Sequence, residues 1–319
     1  MSESRVLITG GTGLLGKALL ETAPFGVRVF ATHHRLPPPK EWRERFSQLD
    51  IRQQPAVEEL LAEIKPKTVI HTASIGGVDE AEQDPDSVRR VNVEGTQNIL
   101  RAAAKIGAAV IHISSNAVFD GSSPPYREDA PLKAINRYGQ IKIEAERLVS
   151  SSSVPHLIVR PILMYGWPLE AGRGNAVTRW LKNLEKGRPV DVAEEIVSMP
   201  LWVGDCARTV WEGILKEREG IVHAAGADRV SLIRFAQEVC SAFGCDPGLV
   251  RPVQSKELAG LCAEARGGAS SRAGLAPRPR DTSFQIDRMR REFGIEPLGI
   301  REGLTLMRGC RTVPCGSCS

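Results

Sequence analysis

The chain has 319 residues, 42% of them hydrophobic, with 42 Lys and Arg against 38 Asp and Glu and a formal net charge of +4. That length accommodates one large domain, or a domain with a smaller lobe. The charge is nearly balanced and the arginines are scattered, which argues against nucleic acid as a partner. No run approaches the ~20 apolar residues of a membrane helix, so no membrane partner is expected.

A strand-like run begins almost at once, which predicts no signal peptide and a cytoplasmic protein. Residues 5–9, RVLIT, are apolar and β-branched and suit a buried strand. GGTGLLG follows, with Gly10, Gly13 and Gly16 at G-x-x-G-x-x-G spacing, and then a helical periodicity that stops before Pro24. Strand, glycine turn and helix is the context in which this spacing binds a dinucleotide pyrophosphate. Gly10 allows the tight turn, Gly13 lets the backbone approach the phosphates, and Gly16 lets the helix pack on the strand. Thr12 lies in the same turn, and free N–H groups near Leu14 and Leu15 face the anion.

The second strand, residues 27–32, runs into His33, His34 and Arg35. A free ribose 2′-hydroxyl is matched by Asp or Glu at this place, and there is none. Arg35, with His34 beside it, suits a 2′-phosphate instead. The expected cofactor is therefore NADP (as NADPH), with NAD less favoured.

Further along, the pattern predicts a strand ending at Asp50 and Ile51, a helix over 55–64, and a strand over 68–74. A long helix over 85–106, a strand over 108–115, a helix over 135–149 and a strand over 156–161 follow. Strands alternating with helices of this length imply βαβ units and a parallel sheet. The expected fold is α/β: a Rossmann-type doubly wound parallel sheet with a smaller C-terminal substrate lobe. Residues 1–165, with 199–225 returning to them, would form the cofactor-binding part. Residues 166–198 and 226–305 would form the lobe, and 306–319 a tail. Within the later part, 166–174 and 264–280 read as loops, the latter flexible; 175–186 and the segments beginning at Val203 and Ser231 read as helices, and GIVHAAG as a strand.

All seven cysteines lie after residue 205. The odd number and the position argue against a disulfide framework. Cys310, Cys315 and Cys318 crowd the end, but three thiols lack the fourth ligand of a structural zinc site, so no metal is expected. His71, His112 and His223 fall inside predicted strands and read as core rather than catalytic residues.

Tyr138 and Lys142 stand in YGQIK, four apart on a predicted helix and so on one face of it. At ~4 Å and an effective dielectric of ~20, an ammonium attracts a phenolate by about 4 kcal/mol before desolvation. That predicts a tyrosine pKa drawn from ~10 toward neutrality. Any amphipathic helix can carry such a pair by chance, as a half-buried Tyr and a solvated Lys. Ser115, at the end of a predicted strand, gives the pair its context. A hydroxyl donor, a phenol acid and an ammonium beside a nicotinamide are the equipment for hydride transfer to a ketone. Ser115 would bond the carbonyl oxygen, Tyr138 would protonate it, and Lys142 would hold the nicotinamide ribose.

The landmarks TGGTGLLG, LDI (49–51), HTAS (71–74), VNVEGT (91–96), ISS (113–115) and YGQIK together resemble an extended short-chain dehydrogenase/reductase. Within that superfamily the chain is most similar to dTDP-4-dehydrorhamnose reductases and the related regulatory subunit of methionine adenosyltransferase. SSNAVFDGSSPPYREDAPL, MPLWVGDCA (199–207), HAAGADRVSLIRFAQEV and APRPRDTSFQIDRMRREFGIEP carry that closer likeness, which spans about residues 4–305.

The resemblance implies that Asp50 and Ile51 flank the adenine, that Ala73 and Ser74 lie along the cofactor, and that Pro161 to Leu163 touch the nicotinamide side. It implies a fourth catalytic residue, Asn92, holding a water relay behind Lys142. It also implies a homodimer through the helices bearing Asn92 and Tyr138. The activity implied is NADPH-dependent reduction of a keto group on a nucleotide-activated deoxysugar, with Ser115, Asn116 and Tyr138 toward the substrate. One departure stands out: Asn116-Ala117 replaces the Asp-Tyr typical of the reductases. That disfavours a dehydratase, leaves a sugar-nucleotide epimerase and a cofactor-binding regulatory subunit as alternatives, and predicts a widened substrate site.

Overall fold

The computed structural model describes residues 4–255 and 276–311. The chain opens with β1 (Ser4–Thr9), α1 (Leu14–Glu21), β2 (Val27–His33), β3 (Phe46–Gln48), α2 (Gln54–Ile64) and β4 (Thr68–His71). It continues through α3 (Val78–Gln83), α4 (Pro85–Arg89), α5 (Gly95–Ile106), β5 (Ala109–Ile113), α6 (Arg137–Ser150) and β6 (His156–Pro161). Next come β7 (Met164–Tyr165), α7 (Ala176–Leu184), β8 (Val190–Ala193), β9 (Val197–Ser198), β10 (Leu201–Trp202), α8 (Val203–Leu215) and β11 (Gly220–Ala224). After β12 (Val230–Ser231), α9 (Leu232–Phe243) and β13 (Val250–Val253), the helices Asp287–Phe293 and Ile300–Gly309 close the described chain.

Seven strands form one sheet in the order β11-β6-β5-β4-β1-β2-β3, and every adjacent pair is parallel. Val6, Leu7 and Ile8 are fully buried, as expected of a central strand covered on both faces. One face packs on α1 and α8 through Leu15, Leu19, Val210 and Trp211. The other packs on α2 and α5 through Leu61, Ile99 and Ala103. The chain starts at β1, moves outward to β3, then returns to β4 on the opposite side. The strand order therefore reverses beside β1, and a crevice opens there at the carboxyl ends.

Several predicted boundaries move. The strands expected over 68–74 and 108–115 stop at His71 and Ile113, and β3 stops at Gln48, so the residues beyond them turn out of the ladder at the crevice. The helix expected over 85–106 is α4, then a π-helical turn at Arg90–Glu94, then α5. Helix α3 and the short strand pairs β7–β10, β8–β13 and β9–β12 have no counterpart in the sequence reading. Residues 264–275 of the predicted flexible loop lie outside the described residues. The rest of it packs on α3: Ala276 N donates to Asp79 Oδ1 at 3.0 Å, and Arg278 pairs with Asp79 at 2.9 Å. Among the described residues, no helix is long and apolar enough to cross a membrane.

Candidate active site

The glycine turn joins β1 to α1. Gly10 has φ +70, and a β-carbon there would lie 2.8 Å from Ala73 Cα. A β-carbon on Gly16 would lie 2.5 Å from Gly10 O, so the helix seats directly on the turn. Gly13 is the N-cap of α1, with no side-chain cap and no acidic residue in the first turn. The first N–H groups of α1, at Leu14 and Leu15, thus have no side-chain cap, and Thr12 in the turn is buried. This cradle fits a dinucleotide pyrophosphate. Thr9 ties the neighbouring loop to it: its Oγ1 accepts from Ala73 N at 3.3 Å and lies 2.8 Å from His71 Nδ1. Ala73 is half-buried and Ser74 exposed at the crevice.

At the end of β2, His34 and Arg35 are exposed. Arg35 makes no ion pair or hydrogen bond among the described residues, and so has its donors free. His34 Nε2 lies 3.7 Å from Asp50 Oδ2. Asp50 also takes Arg52 Nη2 at 2.7 Å, which holds its carboxyl below the usual range. Ile51 is buried against the start of α5, where Gly95 leaves room for it.

Ser115, Tyr138 and Lys142 come together where β5 ends. Ser115 caps the short 3-10 turn Asn116–Val118, its Oγ accepting from Ala117 N at 3.2 Å. Asn136 caps α6 by accepting from Gly139 N at 2.8 Å. Tyr138 packs with Ala117, Ile141, Ala145 and Val93 in one buried cluster. Lys142 is 2% exposed and donates from Nζ to Ile113 O at 2.8 Å.

The electrostatics overturn one expectation. Burial pushes the Tyr138 phenol up to about 12, with Ser115 and the Arg173 charge pulling the other way. Burial also lowers Lys142 to about 8, against the pull of Glu146. Desolvation therefore prevails, and the charge that draws the phenol down is that of Arg173 rather than the expected Lys142. One of the three ammonium donors goes to the Ile113 carbonyl.

Asn92 is buried in the π-helical turn, where its amide accepts from Ile75 N at 2.8 Å and donates to Ile75 O at 3.0 Å. It clamps the loop after β4. Pro161 ends β6, and Leu163 just beyond it has φ +38 and half-buried position. Asn116 Nδ2 donates to Thr282 Oγ1 at 2.6 Å, tying the Ser115 turn to the chain 166 residues further on. Ala117 is buried in the same cluster as Tyr138.

Arg173 went unread in the sequence, because nothing in its Gly-rich loop marks it. Its guanidinium lies over Gly76 and Gly77, where added β-carbons would stand 3.6 and 3.4 Å from it. Ile75 and Val78, which flank that pair, pack on the Tyr138 cluster.

A Rossmann-type sheet with Ser, Tyr and Lys gathered at its carboxyl edge defines the extended short-chain dehydrogenase/reductase class. The chain matches the RmlD substrate binding domain over residues 4–308, and it belongs to that family. Methionine adenosyltransferase 2 subunit beta of Bos taurus is 29% identical over 304 residues, covering 93% of this chain and 83% of the relative. dTDP-4-dehydrorhamnose reductase of Mycolicibacterium smegmatis is 29% identical over 299 residues, covering 92% of this chain and 81% of the relative. Among solved structures, dTDP-4-dehydrorhamnose reductase from Bacillus anthracis in complex with NADP has a TM-score of 0.81 at 26% identity, covering 96% of this chain and 99% of that one.

Proposed function

We propose that this protein is an NADPH-dependent reductase of a keto group on a nucleotide-activated deoxysugar. One observation carries the reading: Ser115, Tyr138 and Lys142 converge at the carboxyl end of β5, in the same sheet as the β1 that leads into the glycine turn. With its pKa pushed up to about 12, Tyr138 holds its proton at neutral pH and can deliver it to a nascent alkoxide. Ser115 donates to the carbonyl oxygen, and Asn116 borders the substrate. Lys142 and Arg173 offset the charge left on the phenolate. A bound dinucleotide would supply the hydride. Asn92 keeps the loop beyond Ala73 and Ser74 in place along it, and Asp50, Ile51, Pro161 and Leu163 border it.

NADP is preferred on this reading because Arg35 has free donors at the place of the 2′-phosphate. The NADP complex of the Bacillus anthracis relative supports that choice, although other solved structures with this fold are complexes with NAD. The proposed homodimer through α4 to α6 would cover the exposed Arg89–Glu144 and Arg89–Glu94 pairs, and sedimentation tests it directly.

A second reading, a cofactor-binding regulatory subunit, is favoured by the relatives named methionine adenosyltransferase 2 subunit beta and by Asn116, whose amide is engaged by Thr282. Incubation with NADPH and a dTDP-4-keto-6-deoxy sugar separates the readings. The reductase consumes NADPH one for one with the sugar. An epimerase changes the sugar without net consumption, and a regulatory subunit leaves both unchanged.

A further inference from the structure

Directly behind the Ser115–Tyr138–Lys142 cluster lies a second charged cluster that the proposed chemistry does not use. Glu146 stands one turn beyond Lys142 on α6 and is 2% exposed; Arg160, on β6, is 1% exposed. Arg160 Nε and Nη2 donate to the two carboxylate oxygens of Glu146 at 2.9 and 2.7 Å. Its Nη1 donates to Glu128 O at 3.0 Å and lies 3.3 Å from His223 Nε2. Ser114 Oγ donates to Glu146 Oε1.

The connections are specific. Ser114 lies between Ile113, whose carbonyl takes the Lys142 ammonium, and Ser115. Arg160 directly precedes Pro161. One carboxylate thus fastens the segments that carry Ser115, Lys142 and the nicotinamide-side loop. Burying an ion pair is costly, and apolar side chains of similar volume commonly hold two elements together as well or better. What they cannot supply is a negative charge next to Lys142.

We propose that Glu146 is a positioning residue for the reduction: locked by Arg160 and Ser114, its carboxylate keeps Lys142 charged and docked on the Ile113 carbonyl beside Tyr138. This rests on the reductase reading for its kinetic consequence only. The groups around Lys142 make the charge necessary. His112 on β5 and His71 on β4 both feel the Lys142 charge, and burial holds both imidazoles neutral. Tyr138 on the same helix keeps its proton. Arg160 on β6, with His223 on β11 beyond it, brings no negative charge. Glu146 is the group that raises Lys142 against the desolvation that lowers it to about 8.

The test is the pH dependence of NADPH binding, read by fluorescence, alongside kcat/KM for the keto sugar. On the reductase reading Lys142 would hold the nicotinamide ribose as its ammonium, so affinity should fall as it loses its proton. Glu146→Gln removes the anion, lowers the Lys142 pKa, and should move the basic limb of both profiles down by about one pH unit. Glu146→Asp keeps the charge and should restore most of the wild-type limb. The double variant Glu146→Leu/Arg160→Met replaces the pair with apolar side chains, which guards against misfolding from an unpaired Arg160. It should melt near the wild type yet keep the shifted limb. A wild-type profile in the double variant overturns the proposal and makes the pair a scaffold. A limb that moves as far in Glu146→Asp as in Glu146→Gln also overturns it. Absence of turnover in the wild type would count against the reductase reading alone, because the binding profile still decides the role of Glu146.

Discussion

Gly139 of α6 and Ala117 of the turn after β5 meet backbone to backbone: a β-carbon on Gly139 would lie 2.0 Å from the Ala117 carbonyl oxygen. That contact sets the depth at which α6 sits and so presents Tyr138 to Ser115. Gly139→Ala must push the helix away from the turn. Overpacking of this kind costs about 1–3 kcal/mol of stability, and the separated hydroxyls should cost turnover at least about 10-fold. Thermal melting and turnover measured together check this. An unchanged kcat would mean that the contact does not position the pair.

Tyr138→Phe removes the proton donor from a buried ring that otherwise fits the same space. Turnover should fall about 10²–10⁴-fold, while NADPH affinity stays within a few-fold of the wild type. Near-normal turnover would assign the proton to another group.

Arg35 is read as the anchor of a 2′-phosphate. A charge-assisted hydrogen bond contributes about 1.5–3 kcal/mol, so Arg35→Ala should weaken NADPH roughly 10- to 100-fold and leave NADH nearly unchanged. Equal losses for the two cofactors, measured by titration calorimetry, would make Arg35 a structural residue.

What the sequence revealed, and what it hid, follows from how each feature is encoded. The glycine turn was legible because Gly10 and Gly16 answer to backbone geometry, a φ of +70 and an approach of 2.5 Å that side chains forbid. Strand β1 was legible because burial on both faces demands an unbroken apolar run. The ends of β4 and β5 were not, since Ala73, Ser74 and Ser114 continue the same small-residue pattern while the chain turns out of the sheet. The π-helical turn at Arg90–Glu94 shifts hydrogen bonding without altering composition. Spacing places Lys142 near Tyr138 but says nothing of how deeply both are buried, and burial sets the phenol pKa. Arg173 reaches its place through a loop whose path no local pattern records.

Acid stability offers an independent check on the buried imidazoles. Burial holds His71 and His223 at about 3, below the ordinary 6.5. The unfolded chain therefore binds protons below pH 6.5 that the folded chain refuses. Their contribution is complete above 6.5 and is lost as pH falls toward 3. Each should add a slope of about 1.4 kcal/mol per pH unit in that window. Denaturant melts from pH 6.5 down to about 5 should show the decline, and His223→Gln should flatten it by about one proton. An unchanged slope in the variant would mean that His223 titrates normally in the fold.

The most direct measurement is NADPH oxidation by the purified wild-type protein across a panel of nucleotide-linked 4-keto-6-deoxy sugars, followed at 340 nm with Ser115→Ala and Tyr138→Phe as controls. At least one sugar should be reduced with one NADPH consumed per alcohol formed, and both substitutions should suppress the rate by about 10²-fold or more. Tight NADPH binding with no turnover on any sugar, together with a partner protein that co-purifies, would contradict the account and leave a cofactor-binding regulatory subunit in its place.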